Sequence, residues 1–134
     1  RFFVGVVPAG TEATIDGQEV VEARWVTPSD GLARSDELYL PPPQLRTLWE
    51  LRAVEAGGPA AVLALARGRA GHVTPIVPRY APRPDTPPGF ALLLPWDAGY
   101  EADGTGAAHP WPAGHPLAGG PSRFWLEGER WRQG

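Results

Sequence analysis

The chain has 134 residues, a formal net charge of −3 and 43% apolar residues, enough for one domain with a modest hydrophobic core. Its basic residues are all arginines and form no stripe, which excludes general nucleic-acid binding, and the absence of Cys excludes disulfides and cysteine-type zinc sites. No apolar run approaches the roughly 18 residues of a membrane span, and no signal-peptide pattern is present. We therefore expect a cytoplasmic protein that makes no membrane contact.

Two strands are predicted at the beginning of the chain. Residues 2–7 are almost wholly apolar and partly β-branched, which is typical of a strand buried on both faces. Residues 19–26 alternate apolar and charged side chains, which predicts a second strand with one buried face. Asp16 and Gly17 form a turn signal between them. Together these segments predict a long antiparallel hairpin within a mixed sheet.

Three helices are predicted next. Thr27 is expected to cap a short helix that begins at Pro28 and ends near residue 34. After three prolines, a longer amphipathic helix is predicted over residues 44–56, with one apolar face formed by Leu45, Leu48 and Trp49. A third helix, rich in Ala and Leu, is predicted over residues 60–67, with Gly68 as its C-terminal cap.

The second half of the chain predicts short strands separated by irregular segments. The 17 glycines and 17 prolines make up about a quarter of the residues, where roughly 12% is usual. An extended segment is predicted over residues 72–79 and an apolar strand over residues 90–95. Residues 97–121 predict a long surface loop, and residues 124–131 predict a terminal hairpin.

The order of these elements resembles the second half of a Nudix hydrolase domain. The matching stretches are Arg1-Phe2-Phe3-Val4-Gly5-Val6-Val7-Pro8, Glu19-Val20-Val21-Glu22-Ala23-Arg24-Trp25-Val26 and Leu40-Pro41-Pro42-Pro43-Gln44-Leu45-Arg46-Thr47-Leu48. Later stretches are similar to an extension in the branch that includes the peroxisomal coenzyme A and acyl-CoA diphosphatases: Pro75-Ile76-Val77-Pro78-Arg79, Leu93-Leu94-Pro95-Trp96-Asp97-Ala98-Gly99-Tyr100 and Ser122-Arg123-Phe124.

The resemblance implies an α/β (α+β) fold. It consists of a partial Nudix-like mixed sheet with flanking helices, followed by a Gly/Pro-rich extension with short strands. Residues 1–56 would form the C-terminal part of the Nudix-like domain. Residues 57–134 would form a C-terminal extension with a helix, the long loop and the terminal hairpin.

The Nudix signature, whose glutamates bind Mg²⁺ or Mn²⁺, does not occur in the chain. The nearest pair of carboxylates on a predicted helix, Glu50 and Glu55, is spaced by five residues and does not share a face. In the family, the signature precedes the strand that resembles residues 2–7. The resemblance therefore implies the C-terminal portion of a pyrophosphohydrolase for nucleoside diphosphate-linked substrates, coenzyme A derivatives among them. This portion would be inactive alone, because the metal-binding residues would lie in the missing N-terminal half.

Three residues are candidates for substrate binding: Arg1, Glu22 and Glu37. Arg1 has the fork geometry to bind a phosphate through two hydrogen bonds. In some Nudix proteins a late carboxylate assists the metal-bound water, and the resemblance implies this role for Glu22, which shares its predicted strand with Glu19, or for Glu37. The structural alternatives are an ion pair between Glu22 and Arg24 on a solvated strand face and an ordinary acidic loop at Glu37.

The aromatic and histidine side chains are predicted to be structural. Trp25 and Trp49 occur at strand and helix spacing, which favours a place in the core over stacking on a nucleobase. His72, His109 and His115 lack a patterned set of further ligands, which favours loop residues over a metal site.

Two other interpretations remain open. The chain could be a truncated Nudix-like module for binding or assembly without hydrolase activity, and a homodimer would then be one way to cover the apolar strand at residues 2–7. A small all-β module is the other interpretation, and it requires that residues 44–67 are not helical.

Overall fold

The computed structural model describes residues 2–18, 22–71, 73–82 and 89–134. Its elements in chain order are the helices α1 (Pro28–Ala33), α2 (Ser35–Leu38), α3 (Pro42–Arg52) and α4 (Gly58–Arg69), followed by the strands β1 (Arg79–Pro82), β2 (Phe90–Leu93), β3 (Arg123–Glu127) and β4 (Arg130–Gln133). The protein is therefore α+β, as expected. No helix in the described ranges is long and apolar enough to cross a bilayer.

The described residues divide into two compact units. The first comprises those of Arg1–Ala33 and Leu48–Val73, and the second comprises those of Arg34–Thr47 and Thr74–Gly134. The regular secondary structure of the first unit is helical, and the sheet belongs to the second unit.

The four strands form an antiparallel sheet in the order β1-β2-β3-β4. Ala81, Ala91 and Trp125 lie opposite one another in adjacent strands, so their side chains share one face of the sheet. That face packs with Leu93 and Tyr100 into the buried core of the second unit. The strands predicted within residues 90–95 and 124–131 are confirmed, and a left-handed Gly128 (φ 64°) closes the terminal hairpin.

The short helix α1 begins where the sequence predicts it. The backbone N–H of Asp30 donates to Oγ1 of Thr27 at 3.1 Å, which is the expected cap. The Glu55 carboxylate adds a second anchor, because it accepts hydrogen bonds from the Ser29 backbone N–H at 3.1 Å and the Ser29 hydroxyl at 2.5 Å. Gly31 is buried in the first unit, and a Cβ at this position would lie 2.9 Å from Leu48 Cδ1.

Helices α3 and α4 confirm the predicted pair but with different ends. Helix α3 ends at Arg52 rather than near residue 56, and a 3-10 turn, Glu55–Gly57, follows it. Helix α4 continues through Gly68 to Arg69, so the predicted cap at Gly68 is wrong. The following residue, Ala70, keeps right-handed helical angles, so no left-handed glycine is needed there. These helices also contradict the all-β interpretation.

The predicted N-terminal hairpin is not formed. Residues 2–7 and 22–26 contain no strand, residues 19–21 lie outside the described ranges, and the sheet that does form is antiparallel rather than mixed. A strand with two apolar faces needs neighbours on both sides, and a two-stranded hairpin alone is marginally stable in water. Phe3 is consequently 88% exposed and Trp25 is 69% exposed, so the prediction that Trp25 belongs to the core is also wrong.

Candidate functional site

A cavity of about 480 Å³ opens in the second unit, in the loops that follow β2. Aromatic and proline side chains dominate its wall: Pro95, Trp96, Tyr100, Pro110, Trp111 and Pro112. Small residues of the long loop and two carboxylates complete it: Asp97, Ala98, Glu101, Ala113, Gly114, Ala118 and Gly119. We call it the Trp96–Trp111 cavity.

A column of four stacked side chains supports the cavity. The Arg46 guanidinium carbon lies 4.7 Å from the centre of the Trp96 ring, the Trp96 and Trp111 ring centres are 4.9 Å apart, and His115 lies 4.1 Å from Trp111. Arg46 also donates to the backbone carbonyls of Leu117, at 2.9 Å, and Gly119. Arg46 lies in the part of α3 that belongs to the second unit, so this column fastens the long loop to that part of the helix.

Arg79 holds the other side of the cavity. Arg79 is 8% exposed. Its guanidinium donates to backbone carbonyls of the loop over residues 100–106, those of Tyr100, Glu101 (3.3 Å), Thr105 (3.4 Å) and Gly106 (2.8 Å). A buried cation is tolerated where hydrogen bonds replace its water. Arg79 therefore fixes the backbone that carries Tyr100 and Glu101 into the wall.

Tyr100 connects three segments through its hydroxyl group. The hydroxyl donates to the Val77 carbonyl at 2.8 Å and accepts from the His109 backbone N–H at 3.2 Å, while the ring is 1% exposed. Further along the loop, the Trp111 indole N–H donates to the Pro75 carbonyl at 3.2 Å. The extended segment before β1 and the long loop are thus joined by side chain–backbone bonds.

The two wall carboxylates have different surroundings. Asp97 accepts from the Gly99 backbone N–H at 2.8 Å, from the Ser122 hydroxyl at 2.9 Å and from the Arg123 guanidinium. Glu101 is exposed, and its carboxylate makes no hydrogen bond or ion pair with the described residues. Asp97 is thus a structural anchor, whereas Glu101 is exposed to water.

The His115 side chain holds the backbone of the long loop. Nδ1 of His115 accepts a hydrogen bond from the Leu117 backbone N–H at 3.2 Å, so a neutral His115 carries its proton on Nε2. Among the described residues, no group of three or more His, Asp or Glu side chains could hold a metal ion. His72 lies outside the described ranges.

The predicted substrate-binding residues are not brought together by any described contact. Glu22 is exposed and forms an ion pair with Arg24. This ion pair is the structural alternative to a role of Glu22 in substrate binding. Glu37, on α2, accepts from Arg34 Nε at 2.7 Å and Nη2 at 3.0 Å. Arg1 lies outside the described residues, as does Glu19.

Sequence reasoning missed the cavity. Residues 97–121 lack periodicity, and the prediction of a surface loop gave no reason to pair Trp96 with Trp111. A signal was present, since both tryptophans are flanked by proline within a segment otherwise rich in small residues. Aromatic side chains in an aperiodic loop are usually held by specific contacts, because their exposure to water is unfavourable.

Comparison with known proteins adds no relative. No protein-family model, curated protein or solved structure matches the chain. Function must therefore be argued from the residues themselves.

Proposed function

We propose that the chain is the C-terminal portion of a Nudix-type pyrophosphohydrolase acting on a nucleoside diphosphate-linked substrate, with coenzyme A derivatives as the first class to test. The portion is inactive alone. Its partner is the N-terminal half of the same domain, and its compartment is the cytoplasm. The order of the motifs from residues 1–8 to residues 122–124 supports this proposal, together with one structural observation.

That observation is the exposure of a segment with the composition of an inner strand. Within residues 2–7, Phe2 is 66%, Phe3 88% and Val6 66% exposed. Apolar side chains contiguous in sequence and left in water indicate a surface that another polypeptide covers. A β-sheet contributed by the missing half would cover it by strand pairing.

Residues 2–7 are not paired with residues 22–26 in this chain. Had residues 2–7 paired with residues 22–26, the chain would have carried its own part of the Nudix-like sheet. Since they do not pair, the proposal requires that this part of the sheet assembles only with the N-terminal half. It stands on the order of the motifs and on the exposed apolar segment.

The described residues do not fit a Mg²⁺ or Mn²⁺ site. Glu22 and Glu37 are each tied to a nearby arginine, and no cluster of three possible ligands occurs in the described ranges. The metal would be held by carboxylates of the missing half. The role of this chain is to complete the sheet and to position Glu22 or Glu37 beside the substrate.

The test compares two polypeptides: this chain alone, and the same chain preceded by the upstream reading frame of its gene. Each is incubated with coenzyme A and Mg²⁺. Hydrolysis consumes one water and breaks one P–O bond of the diphosphate, which releases adenosine bisphosphate and phosphopantetheine. We expect release by the longer polypeptide and none by the chain alone.

Two results would contradict the proposal. Release by the chain alone would show that it carries its own metal site. An upstream frame without a Nudix signature, or a start codon next to Arg1, would favour the binding or assembly module instead. If the longer polypeptide is active, Glu37→Gln and Glu22→Gln identify the assisting carboxylate, and Glu12→Gln, at an exposed position, is the matched control.

A further inference from the structure

A turn over residues 115–118 of the long loop forms part of the wall of the Trp96–Trp111 cavity. The Ala118 backbone N–H donates to the His115 carbonyl at 2.8 Å, and Ala118 lines the cavity. Pro116 occupies the second position of the turn, where its fixed φ is favourable. The His115 imidazole completes the turn, because its Nδ1 accepts from the Leu117 backbone N–H at 3.2 Å.

This last hydrogen bond requires a neutral imidazole. A neutral imidazole has one donor and one acceptor nitrogen, whereas a protonated imidazole donates from both. Protonation of His115 would therefore place the Nδ1–H opposite the Leu117 N–H, and two donors cannot share a hydrogen bond. Histidine is the side chain that ordinarily changes charge between about pH 5 and 8, so this bond can be made and broken near neutral pH.

Trp111 determines which part of the turn moves. The His115 and Trp111 ring centres are 4.1 Å apart, and the ring planes are inclined by 40°. A cation against the face of an indole is attracted to it, so protonation strengthens this contact while it removes the hydrogen bond. The imidazole therefore stays against Trp111, and the peptide group between Pro116 and Leu117 turns away.

The charged groups around His115 limit the movement to this turn. Arg46, at the other end of the stacked column, donates to the Leu117 carbonyl at 2.9 Å, and Asp97 and Glu101 line the cavity. Arginine and carboxylate side chains ordinarily keep their charges between about pH 5 and 8. The bond from Arg46 therefore persists when the His115 bond is lost, and the loop remains attached to α3.

We propose that His115 makes the long loop sensitive to pH. On protonation, the imidazole releases the Leu117 backbone N–H, and the turn over residues 115–118 loosens. Because Ala118 and Gly119 belong to the cavity wall, the shape of the cavity changes with the charge of His115. This inference does not depend on the proposed hydrolase.

Nuclear magnetic resonance spectroscopy of the chain between about pH 5 and 8 tests the proposal directly. Nitrogen spectra of the imidazole report the tautomer and the charge of His115, and the Leu117 amide proton reports the hydrogen bond. We expect the neutral form to carry its proton on Nε2. As His115 is protonated, the Leu117 amide signal should shift to lower frequency with the same midpoint, because it loses its acceptor.

Three variants separate this mechanism from a general effect of acid. In His115→Asn, the side-chain oxygen can take the place of Nδ1 and accept from the residue two positions on, so the Leu117 signal should no longer depend on pH. In His115→Ala, which has no acceptor, the signal should resemble the acid form throughout. His109→Asn makes the same change at an exposed position of the loop and should leave the response of the wild type intact. Circular dichroism checks that each variant folds.

Several results would overturn the proposal. A neutral His115 with its proton on Nδ1 could not accept the hydrogen bond. A Leu117 signal that ignores the titration of His115 in the wild type would mean that the bond does not respond to charge, and this result needs no variant. A pH response that survives in His115→Asn, or that disappears in His109→Asn, would place the sensitive group elsewhere.

Discussion

Arg123 and Asp97 form a two-point ion pair that fastens β3 to the turn after β2. Nη2 of Arg123 donates to Oδ1 of Asp97 at 2.6 Å, and Nε donates to Oδ2 at 3.2 Å. The Asp97 side chain is 5% exposed, so water screens the pair little. Burial alone would raise the pKa of Asp97, but the hydrogen bonds from Arg123, Gly99 and Ser122 outweigh it and hold this pKa below its ordinary value.

The ion pair predicts a loss of stability in acid. Because the folded pKa of Asp97 lies below the ordinary value of 3.8, the pair contributes fully above that pH and is lost as the pH falls through the folded pKa. We expect Asp97→Asn to lower the free energy of unfolding by about 2 kcal/mol at pH 7. The difference in unfolding free energy between this variant and the wild type should shrink at about pH 2. Urea unfolding at pH 7 and at about pH 2 measures this difference.

Asp36 supplies the control for this experiment. A hydrogen bond from Arg132 lowers the pKa of Asp36 as well, but the Asp36 side chain is 46% exposed. Asp36→Asn should therefore change stability less than Asp97→Asn does, because water and salt screen an exposed pair. Equal effects of the two substitutions would contradict the view that burial makes the Asp97 pair the stronger one.

We expect that lysine cannot replace Arg79 without a loss of stability. Its guanidinium presents donors in several directions and reaches four carbonyls of the loop over residues 100–106, whereas a lysine ammonium has three donors at a single point. We expect Arg79→Lys to cost about 2 kcal/mol of unfolding free energy, because buried acceptors lose their partners. Hydrogen exchange should quicken within the loop. Arg52→Lys, at an exposed position on α3, should have no measurable effect.

Two glycines are predicted to respond in opposite directions to alanine. A Cβ at Gly104 would lie 2.7 Å from the Tyr100 carbonyl oxygen and 2.9 Å from Arg79 Cβ, so we expect Gly104→Ala to cost about 1–3 kcal/mol. Gly68 has open space around it and lies within α4, so Gly68→Ala should stabilise by up to about 1 kcal/mol. Thermal unfolding of both variants shows whether each substitution raises or lowers stability.

The parts of the fold that could be predicted depend on local signals. The Thr27 cap and the terminal hairpin that turns at Gly128 are both encoded within a few residues, and both are present. The predicted strand at residues 2–7 depends on neighbouring strands that no local pattern can supply. The chain leaves that segment exposed, although its composition favours a strand.

The cavity could not be predicted because its supports join distant residues. Arg46 binds the carbonyl of Gly119, 73 positions away, and Arg79 binds that of Gly106, 27 positions away. From the sequence, both arginines could be identified only as positively charged residues. Nothing in the sequence indicated that each would donate hydrogen bonds to carbonyl groups of the loop. The predicted site residues Glu22 and Glu37 instead form short-range pairs with Arg24 and Arg34.

The exposed segment at residues 2–7 gives a prediction that tests the proposed N-terminal half. Phe3 is 88% exposed and Phe124 is 0% exposed. In this chain, Phe3→Ala should change the free energy of unfolding by less than about 0.5 kcal/mol, whereas Phe124→Ala should cost about 3–5 kcal/mol. On the proposed function, Phe3→Ala should be costly in the longer polypeptide that includes the upstream reading frame, because a completed sheet would bury the side chain. Urea unfolding of these three variants measures this difference, and a Phe3→Ala that stays neutral in the longer polypeptide would mean that the upstream half does not cover this segment.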